Sequence, residues 1–260
     1  MSVPEVREVT RTARGASVAW TTLFGALIGV TALVPIFPYV GGGGYVPLAV
    51  PFAAIAPFLL GPWGGVVASI IGGLIGMFIA PGGFPLGLLD VVLTAVLPAF
   101  FVALYANGRQ YWLLNTACVA AVAVFTLVFP YYVPGAAAGF ETPPQPLYWG
   151  LSAYYWLPSL LVAFTPVGTR LLPAWLRSPE RGKKYLGVFI TVLVSLLVWW
   201  LPWTRPYWYM FKYPSALAIA TFIGYTWWVP VLSAITAVIT MPVLEALSRT
   251  GLPKVDRALW

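Results

Sequence analysis

The sequence predicts an all-α, polytopic membrane protein, and three observations predict it. Of 260 residues, 60% are hydrophobic and only 8% charged, where a soluble domain carries roughly a quarter charged residues. The uncharged stretches are long enough to cross a hydrocarbon core of about 30 Å. The cations fall almost wholly into alternate gaps between those stretches. A single transmembrane domain over 1–260 follows, with about eight segments separated by charges and Pro/Gly clusters.

The first segment, 16–37, runs through Gly25-Ala26-Leu27-Ile28-Gly29 and reads as an uncleaved anchor, being longer than a signal-peptide core with no small-residue cleavage site behind it. Segments 46–60 and 63–80 are separated only by Gly61-Pro62. At 1.5 Å per residue a 15-residue helix reaches about 22 Å, so this pair either crosses fully or forms a re-entrant hairpin. In both cases the chain returns to the side it left. Segments 86–106, 112–133, 147–168, 186–203 and 216–245 complete the set.

Topology follows from the cations, because Lys and Arg near span ends stay in the cytoplasm. With an inner N-terminus, the inner segments hold Arg7, Arg11, Arg14, Arg109, Arg170, Arg177, Arg181, Lys183, Lys184, Arg249, Lys254 and Arg257; the outer loops hold only Arg205 and Lys212. This 12-to-2 split of the 14 cations predicts an even number of spans and both termini inside. The basic loop 169–185 then reads as a topological signal with attraction to anionic lipid, not as a nucleic-acid site.

The charge balance of +7 is therefore one of topology. Histidine is absent, which excludes a Ser-His-Asp triad, His-ligated haem and His-containing zinc sites. Cys118 stands alone and forms no internal disulfide or thiolate cage. No metal, cofactor or catalytic residue is expected, and the scattered acids make a poor enzyme site.

Two stripes of small residues stand out. Gly64, Ala68, Gly72 and Gly76 lie four apart, as do Ser17, Thr21, Gly25 and Gly29. Each stripe lets another backbone approach closely, either within the chain or on a partner subunit. Asp90 is the one carboxylate clearly inside a segment. It marks a site or a buried partner, or else it is hydrated near the interface or caps its helix.

The expected outer face is rich in aromatics, including Tyr39, Tyr45, Tyr131, Tyr132, Phe140, Tyr148 and Trp149, with Tyr154, Tyr155 and Trp156 one to two turns deeper. The stretch from Pro202 to Pro214 reads as an outer loop in which Arg205 and Lys212 stand among Trp203, Tyr207, Trp208 and Tyr209. It forms either a clamp for an anionic or flat ligand or a surface loop with its bases on lipid phosphate. Asp90, Arg205, Lys212, Tyr154, Tyr155 and Trp208 are the candidate ligand-binding residues of an outward chamber, with Glu141 and Gln145 on the same side. Gly41, Gly42, Gly43 and Gly44 suit a hinge or moving lid, or a plain flexible turn.

The stretch from Val46 to Met77, with the turn Leu60-Gly61-Pro62-Trp63-Gly64-Gly65 between a Pro-bearing and a Gly-rich helix, resembles the substrate-binding S components of energy-coupling factor (ECF) vitamin transporters. The resemblance covers about a quarter of the chain at best, the length of two helices. It implies a six-helix core over 1–168, a mobile first loop at 41–44, and a first helix whose Ser17, Thr21, Gly25 and Gly29 dock on a membrane partner driven by separate ATPases. The chain departs from the family in lacking Ala-x-x-x-Ala in that helix and in having two further spans within 186–260. It also has no G-x-x-x-x-G-K-[ST] of its own. The expected function is a membrane-embedded, non-enzymatic substrate-binding subunit of an uptake transporter in the plasma membrane, capturing a small aromatic or anionic solute from outside. The alternative is a structural subunit of a larger membrane complex.

Overall fold

A computed structural model describes residues 18–128, 145–251 and 255–260. Ser17 and the loop residues Tyr131, Tyr132, Phe140 and Glu141 lie outside them. The chain is an all-α polytopic membrane protein: among the described residues, five helices are long and apolar enough to cross a bilayer, or six if one bent pair is a single span.

Helix α1 covers Val18–Thr31. It is shorter than the expected 16–37 because Pro35 and Pro38 cannot donate to a helical ladder. Pro35–Pro38 instead forms strand β1, antiparallel to β2, Tyr45–Pro47. This hairpin was not expected in an all-helical chain. The rest of the fold comprises α2 (Ala49–Ile79), α3 (Leu88–Ala106), α4 (Gly108–Val128), α5 (Gln145–Phe164), α6 (Val167–Leu176), α7 (Arg181–Met210) and α8 (Ser215–Ser248). α5 and α6 meet at 65° beside Pro166.

The two short segments expected at 46–60 and 63–80 are the halves of α2, which fold back to back at Gly61 (φ 72°, ψ 171°). A Cβ at Gly65 would lie 2.4 Å from the backbone nitrogen of Pro57, so only glycine permits this approach. Gly82 and Gly83, just beyond the helix, lie against Tyr45 and Pro47, so both ends of α2 reach the β-hairpin. The break leaves carbonyls without helical donors. Pro62 has no N–H for the Phe58 carbonyl, and the backbone N–H of Leu259 donates to it at 2.8 Å. The indole of Trp260 donates to the Leu59 carbonyl at 2.9 Å. Ala258, Leu259 and Trp260 are buried in this role.

The two small-residue stripes pack on each other. A Cβ on Gly25 would meet Ile71 at 2.9 Å and the Ala68 carbonyl at 3.0 Å; one on Gly72 would meet Ile28 at 2.5 Å and the Gly25 carbonyl at 2.8 Å. Gly29 faces Ile75, Gly76 faces Ala32, and Gly64 faces Thr21. The register advances in the same direction along both helices, so α1 runs parallel to the second half of α2. Thr21, Gly25 and Gly29 therefore spend their small face inside the chain, where the partner-docking reading would need it free.

Helix α7 forms the middle of the bundle. Its most apolar stretch is 72% buried, against 22% for α4, so the span expected at 186–203 lies in the core. It is also longer than expected. The stretch expected as a loop from Pro202 is helical through Met210. Pro202 and Pro206 each remove a helical hydrogen bond, but burial of Trp203, Arg205, Tyr207 and Trp208 holds the helix together.

Candidate functional site

Two faces of α7 build the site. On the first face, Trp199, Trp203 and Tyr207 recur every four residues and so form one stripe. All three donate to the start of α3. There the turn Val91–Val96 is π-helical, and the Leu97 N–H bonds to the Val92 carbonyl five residues back. This frees the Leu93 carbonyl, which accepts from the Trp199 indole at 2.5 Å. The Trp203 indole donates to Thr94 Oγ1 at 3.1 Å. The Tyr207 hydroxyl donates to Asp90 Oδ1.

Asp90 is fully buried. Besides Tyr207, it accepts from the Leu86 backbone N–H at 2.5 Å and from the Thr94 hydroxyl at 3.4 Å. An ionisable group at this depth is costly unless its oxygens are satisfied, and here three donors converge on it. Of the readings open in the sequence, hydration near the interface is thus replaced by a buried partner. Tyr39, on the hairpin, extends the chain of polar groups: its hydroxyl lies 3.3 Å from that of Tyr207. Burial raises the Tyr39 hydroxyl well above its ordinary pKa, so it remains a neutral donor.

The second face of α7 carries Trp200, Arg205 and Trp208. Arg205 is fully buried. Its guanidinium lies 4.5 Å from the Trp208 ring centre, 5.0 Å from Phe222, 5.4 Å from Tyr148 and 5.9 Å from Trp200, and it donates to Thr204 Oγ1 at 2.9 Å. Each such ring offers a negative face to a desolvated cation. Tyr155 closes the cage from α5, stacked on Trp200 at 4.3 Å and donating to the Phe222 carbonyl at 2.8 Å.

The expected six-residue chamber is thus divided. Asp90 and Arg205 stand in separate clusters on different faces of α7. Tyr155 and Trp208 belong to the Arg205 cage. Tyr154 is partly exposed and donates to the Thr226 carbonyl. Lys212 is exposed at the end of α7 with φ 50° and belongs to neither cluster. The clamp of Arg205 with Lys212 does not form, because one side points into the cage while the other lies in the turn after the helix.

Between the two clusters lies a small cavity of ≈ 20 Å³, lined by Tyr39, Val40, Trp203, Thr204, Tyr207, Trp208, Tyr213, Thr221 and Tyr225. This is room for about one water molecule. The β-hairpin is its cover. Tyr39 meets Trp203 and Tyr207 edge-on at 5.3 Å, and Phe37 stacks on Trp228 at 4.9 Å. The tetraglycine is the turn of this hairpin. Gly42 and Gly43 take φ of 76° and 85°, which side chains resist, while Gly41 sits so close to Tyr213 that a Cβ would fall 2.2 Å from its ring.

Trp199 and Thr94 are not among the residues singled out from the sequence, and Tyr39, Trp203 and Tyr207 stand there only as outer-face aromatics, not as candidate binding residues. Their signal was available: Asp90 and Thr94 are four apart, and so are Trp199, Trp203 and Tyr207. Reading Pro202 to Pro214 as a loop broke that second period. A comparison with protein-family models, with curated proteins and with solved structures finds no match for this chain.

Proposed function

We infer that the chain is a non-enzymatic, solute-capturing subunit of a membrane uptake system. In this reading the basic end of the bundle faces the cytoplasm and the β-hairpin end faces outward, as the cation distribution favours. The observation that carries it is the covered cavity: aromatic walls, hydroxyls of Tyr39, Tyr207, Tyr213 and Tyr225, and a glycine-turned hairpin as its lid. Opening the hairpin removes Tyr39 and Val40 from the lining and joins the cavity to the outer water. A flat or hydroxyl-bearing solute then stacks on Trp203 and Trp208 and exchanges hydrogen bonds with the tyrosines. Energy for transport comes from a separate partner subunit and its ATPases. That partner meets a surface other than the Gly25/Gly29 stripe, which α2 covers.

The test is extraction and mass spectrometry of small molecules retained by the purified chain, followed by thermal melts across a panel of aromatic and anionic solutes. The capture reading expects a solute that raises the melting temperature of the wild type and not that of Trp208→Ala. A flat response across the panel sinks it. A second reading, a structural subunit, is favoured by the small cavity volume of ≈ 20 Å³. It expects slow hydrogen exchange in the strands 35–38 and 45–47, as in a static core, whereas a lid exchanges fast.

A further inference from the structure

A large concavity lies at the opposite end of the molecule. It has a volume of ≈ 1280 Å³, is open to the surface, and is lined by Asn107, Arg109, Gln110, Trp112, Thr169, Arg170, Pro173, Ala174, Arg177 and Arg257. Four of these are arginines and none is an acid. They come from three separate stretches: the start of α4, the α6 region, and the C-terminal segment.

Two of the guanidiniums are fixed by neutral acceptors. Arg177 donates to the Ala106 carbonyl at 3.2 Å, the Pro173 carbonyl at 3.1 Å and Asn107 Oδ1 at 3.1 Å. Arg257 donates to Gln110 Oε1 at 2.6 Å. Among the described residues its acidic neighbour is Asp256 at 3.7 Å, a side chain 95% exposed. Such bonds aim the cations without neutralising them. Burial, with the charge of Arg257 next in effect, lowers the pKa of Arg177, as expected where positive charge is gathered on a partly desolvated wall. Arg109 and Arg170 are exposed. The lining includes the half-exposed Trp112, and the residues next in sequence to Trp112 and Arg170 are exposed and apolar: Leu113 is 65% exposed and Leu171 39%.

We propose that this groove is a binding site for the phosphate-bearing headgroup of an anionic phospholipid. The guanidiniums of Arg109, Arg170, Arg177 and Arg257 take the phosphate oxygens, because planar paired N–H donors match them. The acyl chains run down the exposed apolar surface of α4 and α6 beside Trp112, Leu113 and Leu171. A free phosphate shares the headgroup chemistry but leaves that surface unused. Basic pockets between membrane helices take such headgroups for the same reasons.

The test is native mass spectrometry of the detergent-solubilised full chain titrated with phosphatidylglycerol, with cardiolipin, with phosphatidylcholine and with inorganic phosphate. Retention of the two anionic lipids above both phosphatidylcholine and inorganic phosphate is expected. Arg109→Ala/Arg170→Ala removes two exposed cations and should weaken anionic-lipid binding about thirtyfold. A matched control, Lys183→Ala/Arg249→Ala, removes two cations outside the groove and should leave binding within about twofold. Thermal melts confirm that both variants fold. Equal weakening by the control overturns the proposal, because diffuse charge then suffices. Retention of inorganic phosphate as strong as that of lipid overturns the assignment to a phospholipid.

Discussion

At the hairpin end Asp90 and Arg205 are both fully buried, one among hydroxyl and N–H donors and the other among aromatic rings. At the basic end Arg109 and Arg170 are exposed, and Arg177 and Arg257 are held by amide and carbonyl oxygens. The same kind of side chain is thus sealed at one end and displayed at the other. Where water is excluded, each charge needs its own shell of partners, and the price is rigidity. Where water is present, charge can be concentrated and left for an anion to complete.

The largest effect should come from breaking the sealed end. Asp90→Ala leaves the Tyr207 hydroxyl and the Leu86 N–H without their acceptor and should destabilise the fold by about 3 kcal/mol or more, read from unfolding in mixed micelles. Asp90→Asn keeps acceptor capacity and should cost less, so a loss equal to that of alanine would contradict the bonding described. Next comes the seam that supports both ends. Gly72→Ala drives a methyl towards Ile28 and the Gly25 carbonyl and should cost about 1–3 kcal/mol by the same assay. Tyr207→Phe, which removes one donor from Asp90, should cost about 1.5 kcal/mol. The smallest changes belong to the exposed cations. Lys212→Ala should alter stability by no more than about 0.5 kcal/mol, and a larger loss would show that Lys212 has a role in the core.

Much of the helical plan was legible because apolar runs broken by Gly-Pro and by charges carry both length and boundary. The break at Gly61-Pro62 and the stripes at Gly25/Gly29 and Gly72/Gly76 could be read directly from spacing. What spacing lacks is the identity of the opposite surface, so it left open whether those stripes meet each other or a partner. The turn at Gly41–Gly44 illustrates a different gap. Four glycines signal conformational freedom, yet Gly42 and Gly43 use it to close a defined hairpin loop, in which the Tyr39 N–H donates to the Gly44 carbonyl at 3.0 Å. The aromatic run from Trp203 to Tyr213 was read as a loop because of its prolines, and the aromatic stripe of α7 was hidden with it. The arginine groove was invisible for a simpler reason: its members are scattered from 109 to 257, and only the packing of α4, α6 and the last residues brings them together.

The last residues also bear on how the protein is made. The Leu59 carbonyl and the Trp260 indole that satisfies it are 201 residues apart. At synthesis rates of 5–20 residues per second, the turn at Gly61 waits about 10–40 s for its native donors. Hydrocarbon offers no substitute for them in that interval, so the turn must be held at a wetted surface while the rest of the chain is inserted. The two halves of α2 are therefore made long before the contacts that complete their turn, and the hairpin reaches its final bonding only once residues 258–260 have been added.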